Sequence, residues 1–172
     1  MIAWVGLGGN LGAVRDTLAR ACAELDRGPT RLQAVSGLYA SRPLGPQDQP
    51  DFLNAVVRVA SARGPAPLLA RLKEIEAAQG RLPRGRWRER ELDLDLLLAE
   101  EDGAVLARGP ELELPHAGIC LRAFVLAPLL ELDPDATDPR GGRRLSEDWA
   151  HLRAREPDAV RRMEGPEWCR IS

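Results

Sequence analysis

The chain has 172 residues, 44% hydrophobic and 29% charged, enough for one domain with a core of its own. Its formal net charge of -2 gives no overall field for nucleic acid or an anionic membrane, so any positive site must be local. No apolar run approaches the ~20 residues that span a bilayer, and no amino-terminal signal pattern appears. The cysteines, Cys22, Cys120 and Cys169, have neither metal-ligand spacing nor a disulfide framework, so a reducing cytoplasm is expected.

In chain order, Ile2 to Leu7 reads as a short buried strand, broken by Gly8-Gly9-Asn10. Leu11, Val14, Leu18, Ala21, Cys22 and Leu25 recur at helical spacing, which predicts a helix from about Ala13 to Asp26, ended by Gly28-Pro29. A second strand is expected over Leu32–Tyr39. The segment from Ala40 to Asp51 carries Pro43, Gly45, Pro46 and Pro50 and cannot be regular. Phe52–Ala60 predicts a third strand. A second helix starts near Pro65 and stops at Gly80. Glu91–Ala99 then alternates as a strand. The order is β-α-β-β-α-β, a ferredoxin-like α+β arrangement. Beyond it, Ala104–Ala107 is expected to add a hairpin strand around the turn Asp102-Gly103. Ala123–Leu132 reads as a short helix, 134–144 as a loop, and the tail from about Leu145 as a polar helix broken at Pro157 and Pro166.

Gly6-Leu-Gly8-Gly-Asn-Leu-Gly12 imitates a dinucleotide-binding turn. Its spacing is G-x-G-x-x-x-G, and no acidic residue near Tyr39 closes a second strand to hold a ribose. It is read instead as a tight turn that brings backbone near a ligand or starts the helix.

The chemistry concentrates between Gln79 and Leu98. Arg81, Arg84, Arg86, Arg88 and Arg90, offset only by Glu89, lead into a strand carrying Asp93 and Asp95. Residues two apart in a strand share a face, so the aspartates stand side by side while Leu92, Leu94, Leu96 and Leu98 cover the other face. Paired carboxylates suit a hard divalent cation, and guanidinium groups suit phosphate oxygens. Surface ion pairing between the same residues is the alternative. Trp87, in a charged loop, stacks either on a planar ligand or on an arginine. The Ser41–Asn54 segment is either a long connector or a stiff wall for a flat heterocycle, with Phe52 stacking and the Asn54 amide reading polar edges.

These pieces together resemble the 6-hydroxymethyl-7,8-dihydropterin pyrophosphokinase family. The likeness rests on Gly8–Leu11, Pro43–Asn54, Glu76–Arg81 with Arg90–Asp95, and Leu114–His116 with Arg122–Phe124; it covers residues 1 to about 135. The resemblance implies a ferredoxin-like fold and transfer of the β,γ-pyrophosphoryl group of ATP to a pterin hydroxymethyl oxygen, with two Mg2+ ions and release of AMP. It implies Asp93 and Asp95 as metal ligands, and Arg81, Arg90 and Asp95 as catalytic residues. Leu69, Glu76, Arg81, Arg84, Trp87, Arg90, Leu96, His116 and Arg122 would line the ATP site, with Arg84 and Arg86 competing for one role. Ser41, Pro43, Leu44, Phe52, Asn54, Trp87, Asp95 and Phe124 would line the pterin site, the rings of Phe52 and Phe124 sandwiching the ligand. A monomer without nucleic-acid or membrane partners is implied. Departures from the family pattern are Gly9 for serine, Lys73 for glutamine, Arg88-Glu89 for Gly-Pro, Glu111 and Glu113 for basic or hydroxylic residues, and Ala117 for an aromatic. The tail after about 145 lies outside the likeness.

Overall fold

In the computed structural model, which describes residues 1–82 and 88–170, strand β1 (Ile2–Gly9) lies between two antiparallel neighbours, β4 (Phe52–Ser61) and β5 (Asp93–Glu100). Strands β2 (Thr30–Val35) and β3 (Leu38–Ser41) pair successive parts of β4. Strand β8 (Val160–Glu164) adds to the far side of β3. Helices α1 (Val14–Leu25) and α2 (Pro65–Ala78) pack on one face; α3 (Ala123–Leu132) and α4 (Leu145–Arg155) pack on the other. Helices over an antiparallel sheet make this an α+β protein.

Alternation along β1 builds both cores. Ala3, Val5 and Leu7 face α1 and α2 together with Val57, Val59, Leu94 and Leu96. Trp4 faces the other way, into a cluster with Val56, Leu126 and Leu129 under α3. On β5 the alternation slips. The register jumps from Val5↔Leu96 to Trp4↔Leu98, leaving Leu97 as an extra residue in a β-bulge. Leu98 therefore joins Leu97 in the α3 cluster and does not share a face with Leu94 and Leu96, contrary to the strict alternation read from the sequence.

Three further expectations are corrected. Gly8 and Gly9 do not break β1 but belong to it, opposite Asn54 and Leu53. The single strand expected over Leu32–Tyr39 is interrupted at Ser36-Gly37, where Ser36 keeps its hold on β4. Its N–H donates to the Val56 carbonyl (2.9 Å), and its Oγ accepts from the Val56 N–H (2.9 Å). The Asp102-Gly103 turn forms, but Ala104 makes only an isolated bridge to Glu100. The hairpin comes later, between β6 (Ala107–Arg108) and β7 (Glu113–Leu114).

The tail contributes more than the polar helix expected. β8 extends the sheet beyond β3, and a 3-10 turn at Pro166–Cys169 inserts Trp168 into the α1 core with no exposed surface. The Trp168 indole N–H donates to the Ser36 carbonyl (2.8 Å). A Cβ at Gly37 would sit 2.7 Å from the Glu164 carbonyl oxygen, so only glycine admits β8 this closely. Glu131 of α3 locks the junction by accepting from Gly37 N–H (3.1 Å), the Tyr39 hydroxyl (2.6 Å) and the Arg162 guanidinium (3.0 Å). Burial pushes the Glu131 carboxyl up, but the bonds from Arg162, Tyr39 and Gly37 outweigh it and hold the group below its ordinary value. Burial, followed by the bond to Glu131, pushes the Tyr39 phenol up to about 12. Trp168→Ala should lower the unfolding free energy by about 3–5 kcal/mol in urea titrations. A loss below about 1 kcal/mol would show that the tail is not part of the core.

Candidate functional site

Two lanes of facing residues cross the sheet at the carboxyl-terminal half of β1. Asp95, Gly6 and Val56 form one; Asp93, Gly8 and Asn54 form the next. All point to the α3 face, and the two glycines supply no side chain. The result is a trough floored by backbone, with aspartates on one bank and Asn54 on the other. A Cβ at Gly8 would lie 3.2 Å from the Asn54 Oδ1, and one at Gly6 would lie 3.4 Å from Leu97.

Over this trough is a cavity of about 170 Å³. Its walls include Ser41, Leu44, Phe52, Asn54, Arg90, Asp93, Asp95, Arg122 and Phe124 from the set expected on sequence, joined by Arg42, Gln49 and Arg88. Arg122 and Phe124 come from the start of α3, and the Arg122 guanidinium sits 5.9 Å from the Phe124 ring centre. The Asn54 amide donates to the Ser41 hydroxyl (3.0 Å), which fixes its orientation and leaves its carbonyl oxygen toward Gly8. The cavity therefore offers aromatic rings, a fixed amide and two carboxylates, which suits a flat polar heterocycle with a reactive substituent near the aspartates.

The other expected residues lie elsewhere. Pro43 is buried within the proline-rich loop. Leu96 is core, and Leu69 packs against the same core. Glu76 is 3% exposed, and both of its carboxylate oxygens have partners. β5 is the outer strand of the sheet, and Glu76 and Lys73 cover its free edge: Glu76 Oε1 accepts from the Leu94 N–H (2.6 Å), and Lys73 Nζ donates to the Leu94 carbonyl (3.0 Å) and to Glu76 (2.9 Å). The other Glu76 oxygen takes the Arg81 guanidinium, which also reaches Asp93 (2.9 Å). Among the described residues, Glu76 acts through Arg81, Lys73 and backbone. Arg84 and Trp87, with the competing Arg86, lie outside the described residues.

His116 is tied to β5 through its N–H, which donates to the Leu97 carbonyl (2.9 Å). Its Nδ1 accepts from the Gly118 N–H (3.0 Å). Burial lowers its pKa against the opposing pull of Asp95, so the ring is neutral at pH 7, with its proton on Nε2 as a donor.

Sequence reading missed Asn10. It is 4% exposed at the end of β1 and joins three segments. Its Nδ2 donates to Gln49 Oε1 (3.1 Å) and to the Pro50 carbonyl (2.9 Å) in the proline-rich loop. Its Oδ1 accepts from the Arg90 N–H (2.9 Å), and its own N–H donates back to the Arg90 carbonyl (2.9 Å). Gly9 permits this approach: a Cβ there would meet the Glu91 carbonyl oxygen at 2.7 Å. The available signal was an Asn following two glycines before a helix, a pattern equally read as a turn.

Two carboxylates alone make a poor cage, and among the described residues no group of three acidic, His or Cys side chains could hold a metal. Magnesium, however, is bound through one or two carboxylates with substrate phosphates and water completing the shell. Asp93 has both oxygens on guanidinium groups, Arg81 (2.9 Å) and Arg90 (2.5 Å). Asp95 makes no hydrogen bond or ion pair among the described residues, so it is the ready oxygen donor. The donor set fits a divalent cation that arrives with a polyphosphate.

Asn10→Ala should cost about 2–4 kcal/mol in chemical denaturation, because the Arg90 N–H loses its acceptor and two loops lose their tie. A cost under about 1 kcal/mol would remove Asn10 from its joining role.

The description of the 7,8-dihydro-6-hydroxymethylpterin-pyrophosphokinase family matches residues 4–134. A 2-amino-4-hydroxy-6-hydroxymethyldihydropteridine pyrophosphokinase of Pseudomonas aeruginosa is 46% identical over 145 residues, covering 84% of this chain and 87% of that protein. One of Methylorubrum extorquens is 39% identical over 163 residues, 94% of this chain and 98% of that one, and so extends into the tail. Among solved structures, a Plasmodium falciparum HPPK-DHPS superposes with a TM-score of 0.71 at 13% identity, a likeness of fold. It covers 94% of this chain, and this chain spans only 46% of that one.

Proposed function

The chain belongs to the 7,8-dihydro-6-hydroxymethylpterin-pyrophosphokinase family, and we propose that its Asp93–Asp95 trough is where the family's reaction takes place. It is a transferase that moves the pyrophosphoryl group of ATP to the hydroxymethyl group of 6-hydroxymethyl-7,8-dihydropterin, in folate synthesis. The observation that carries the assignment of the site is one cavity holding both the aromatic pair Phe52 and Phe124 and the two aspartates.

The pterin lies between Phe52 and Phe124, with its polar edge on Asn54 and with Ser41, Pro43 and Leu44 shaping the wall. This places its hydroxymethyl group beside Asp95. The hydroxymethyl oxygen attacks the β-phosphorus of ATP. The bond from that phosphorus to the α,β-bridging oxygen breaks, and AMP leaves with the bridging oxygen. Asp95 accepts the hydrogen bond of the attacking hydroxyl and takes up its proton. Phosphoryl-type transfer needs positioning and charge neutralisation more than a covalent catalyst. Arg81, Arg90 and Arg122 supply fixed positive charge toward the phosphates, and His116 supplies its Nε2–H. Asp93 and Asp95 would hold two Mg2+ ions, which neutralise the triphosphate when bound. Leu69, Arg84 and Trp87 complete the nucleotide side.

The order β5-β1-β4, with β2 and β3 outside β4, supports reading residues 2–100 as the ferredoxin-like core of a single catalytic domain. Three free thiols support a reducing cytoplasmic setting. Among the described residues, no helix is long and apolar enough to cross a membrane.

With ATP, magnesium and the pterin alcohol, the nucleotide product should be AMP, formed one-for-one with the pterin diphosphate and resolved by anion-exchange chromatography. ADP as the product would overturn the reaction type.

A further inference from the structure

The cavity carries more positive charge than the aspartates use. Four arginines line it, Arg42, Arg88, Arg90 and Arg122, against Asp93 and Asp95. Arg90 is held on Asp93, and Arg122 lies by the Phe124 ring. Arg42 and Arg88 make no hydrogen bond or ion pair among the described residues, and both are exposed. They come from opposite walls: Arg42 from the proline-rich loop just after β3, Arg88 from the segment leading to β5. Asn10 ties those two walls together through Gln49, Pro50 and Arg90. Two free guanidiniums facing one cavity from braced walls form a site for a dianionic or trianionic group.

We propose that Arg42 and Arg88 form a second anion grip at this cavity that holds the diphosphate of the pterin product. The inference rests on the pyrophosphokinase reading above. The grip serves the product because the cavity is the ring pocket, lined by Phe52, Asn54 and Phe124. The pterin alcohol brings no anion into that pocket. Only after transfer are the ring and a diphosphate one molecule, able to fill the pocket and both guanidiniums together. The grip draws the transferred group away from the leaving AMP and retains the pterin diphosphate. Arg88 also stands where the resembled pattern has glycine, so the grip belongs to this chain's own sequence.

Calorimetry on the full chain tests this with three probes: the pterin alcohol, the pterin diphosphate, and a non-hydrolysable ATP analogue with magnesium. Arg42→Gln and Arg88→Gln should each weaken the diphosphate about tenfold, and the double variant more. The alcohol and the ATP analogue should change by less than about twofold, since neither loses a charge partner. Arg88→Lys should recover part of the loss, because a point charge still attracts the anion. Unchanged diphosphate affinity would overturn the grip. Equal weakening of the alcohol would make the two arginines part of the pocket wall only. Selective weakening of the ATP analogue would assign them to the nucleotide. Failure of the unaltered protein to bind the alcohol would instead refute the parent reading.

Discussion

The buried amide of Asn10 is the interaction on which the site depends. It sits at the end of the central strand, where a loop would otherwise be free to swing. With one carboxamide it satisfies a backbone N–H at Arg90, a backbone carbonyl at Pro50 and the side chain of Gln49. A buried amide with every group partnered is rigid, because any movement leaves a polar atom without water or protein. The proline-rich wall and the arginine-bearing wall are therefore fixed to the same strand, and through it to the trough made by Gly6 and Gly8. The glycine at position 9 is the structural condition for this, since the backbone of Glu91 passes where a side chain would stand.

A chain of alternating charges sets the other bank. Buried Glu76 holds Arg81, Arg81 holds Asp93, and Asp93 holds Arg90. A buried carboxylate is tolerated only when it is paired and hydrogen-bonded, and Glu76 is held by Leu94 N–H, Lys73 and Arg81. This order leaves Asp95 as the carboxylate without a partner among the described residues. It also gives the two aspartates different parts: Asp93 orients arginines, and Asp95 faces the cavity with its oxygens open. On the far side of the sheet, Trp168 and the Glu131 cluster brace β3, whose last residue, Ser41, orients Asn54.

Local pattern carried much of this. The period of two placed Asp93 and Asp95 on one face, and the proline-rich segment and Phe124 come to that same face as expected. Strand and helix positions followed the apolar spacing wherever each element packed against a single face. The readings that failed depended on partners distant in sequence. Leu98 changes face because of a bulge opposite Trp4 and Val5, which no property of Leu92–Leu98 announces. Gly8-Gly9 looks like a turn, yet is strand because β4 and the segment at Glu91 pack against it. Strand β8 is short and mostly polar, with exposed arginines, and becomes a strand only because β3 offers it an edge.

The account rests most on the difference between Asp93 and Asp95, and magnesium-dependent ATP binding measures it directly. Calorimetry of a non-hydrolysable ATP analogue, with and without Mg2+, should show that magnesium tightens binding to the unaltered protein. In Asp95→Asn, which alters a carboxylate with no partner among the described residues, the folded protein should keep its thermal stability and lose most of that tightening. An Asp95→Asn protein that still gains the full magnesium effect would contradict the assignment of the trough.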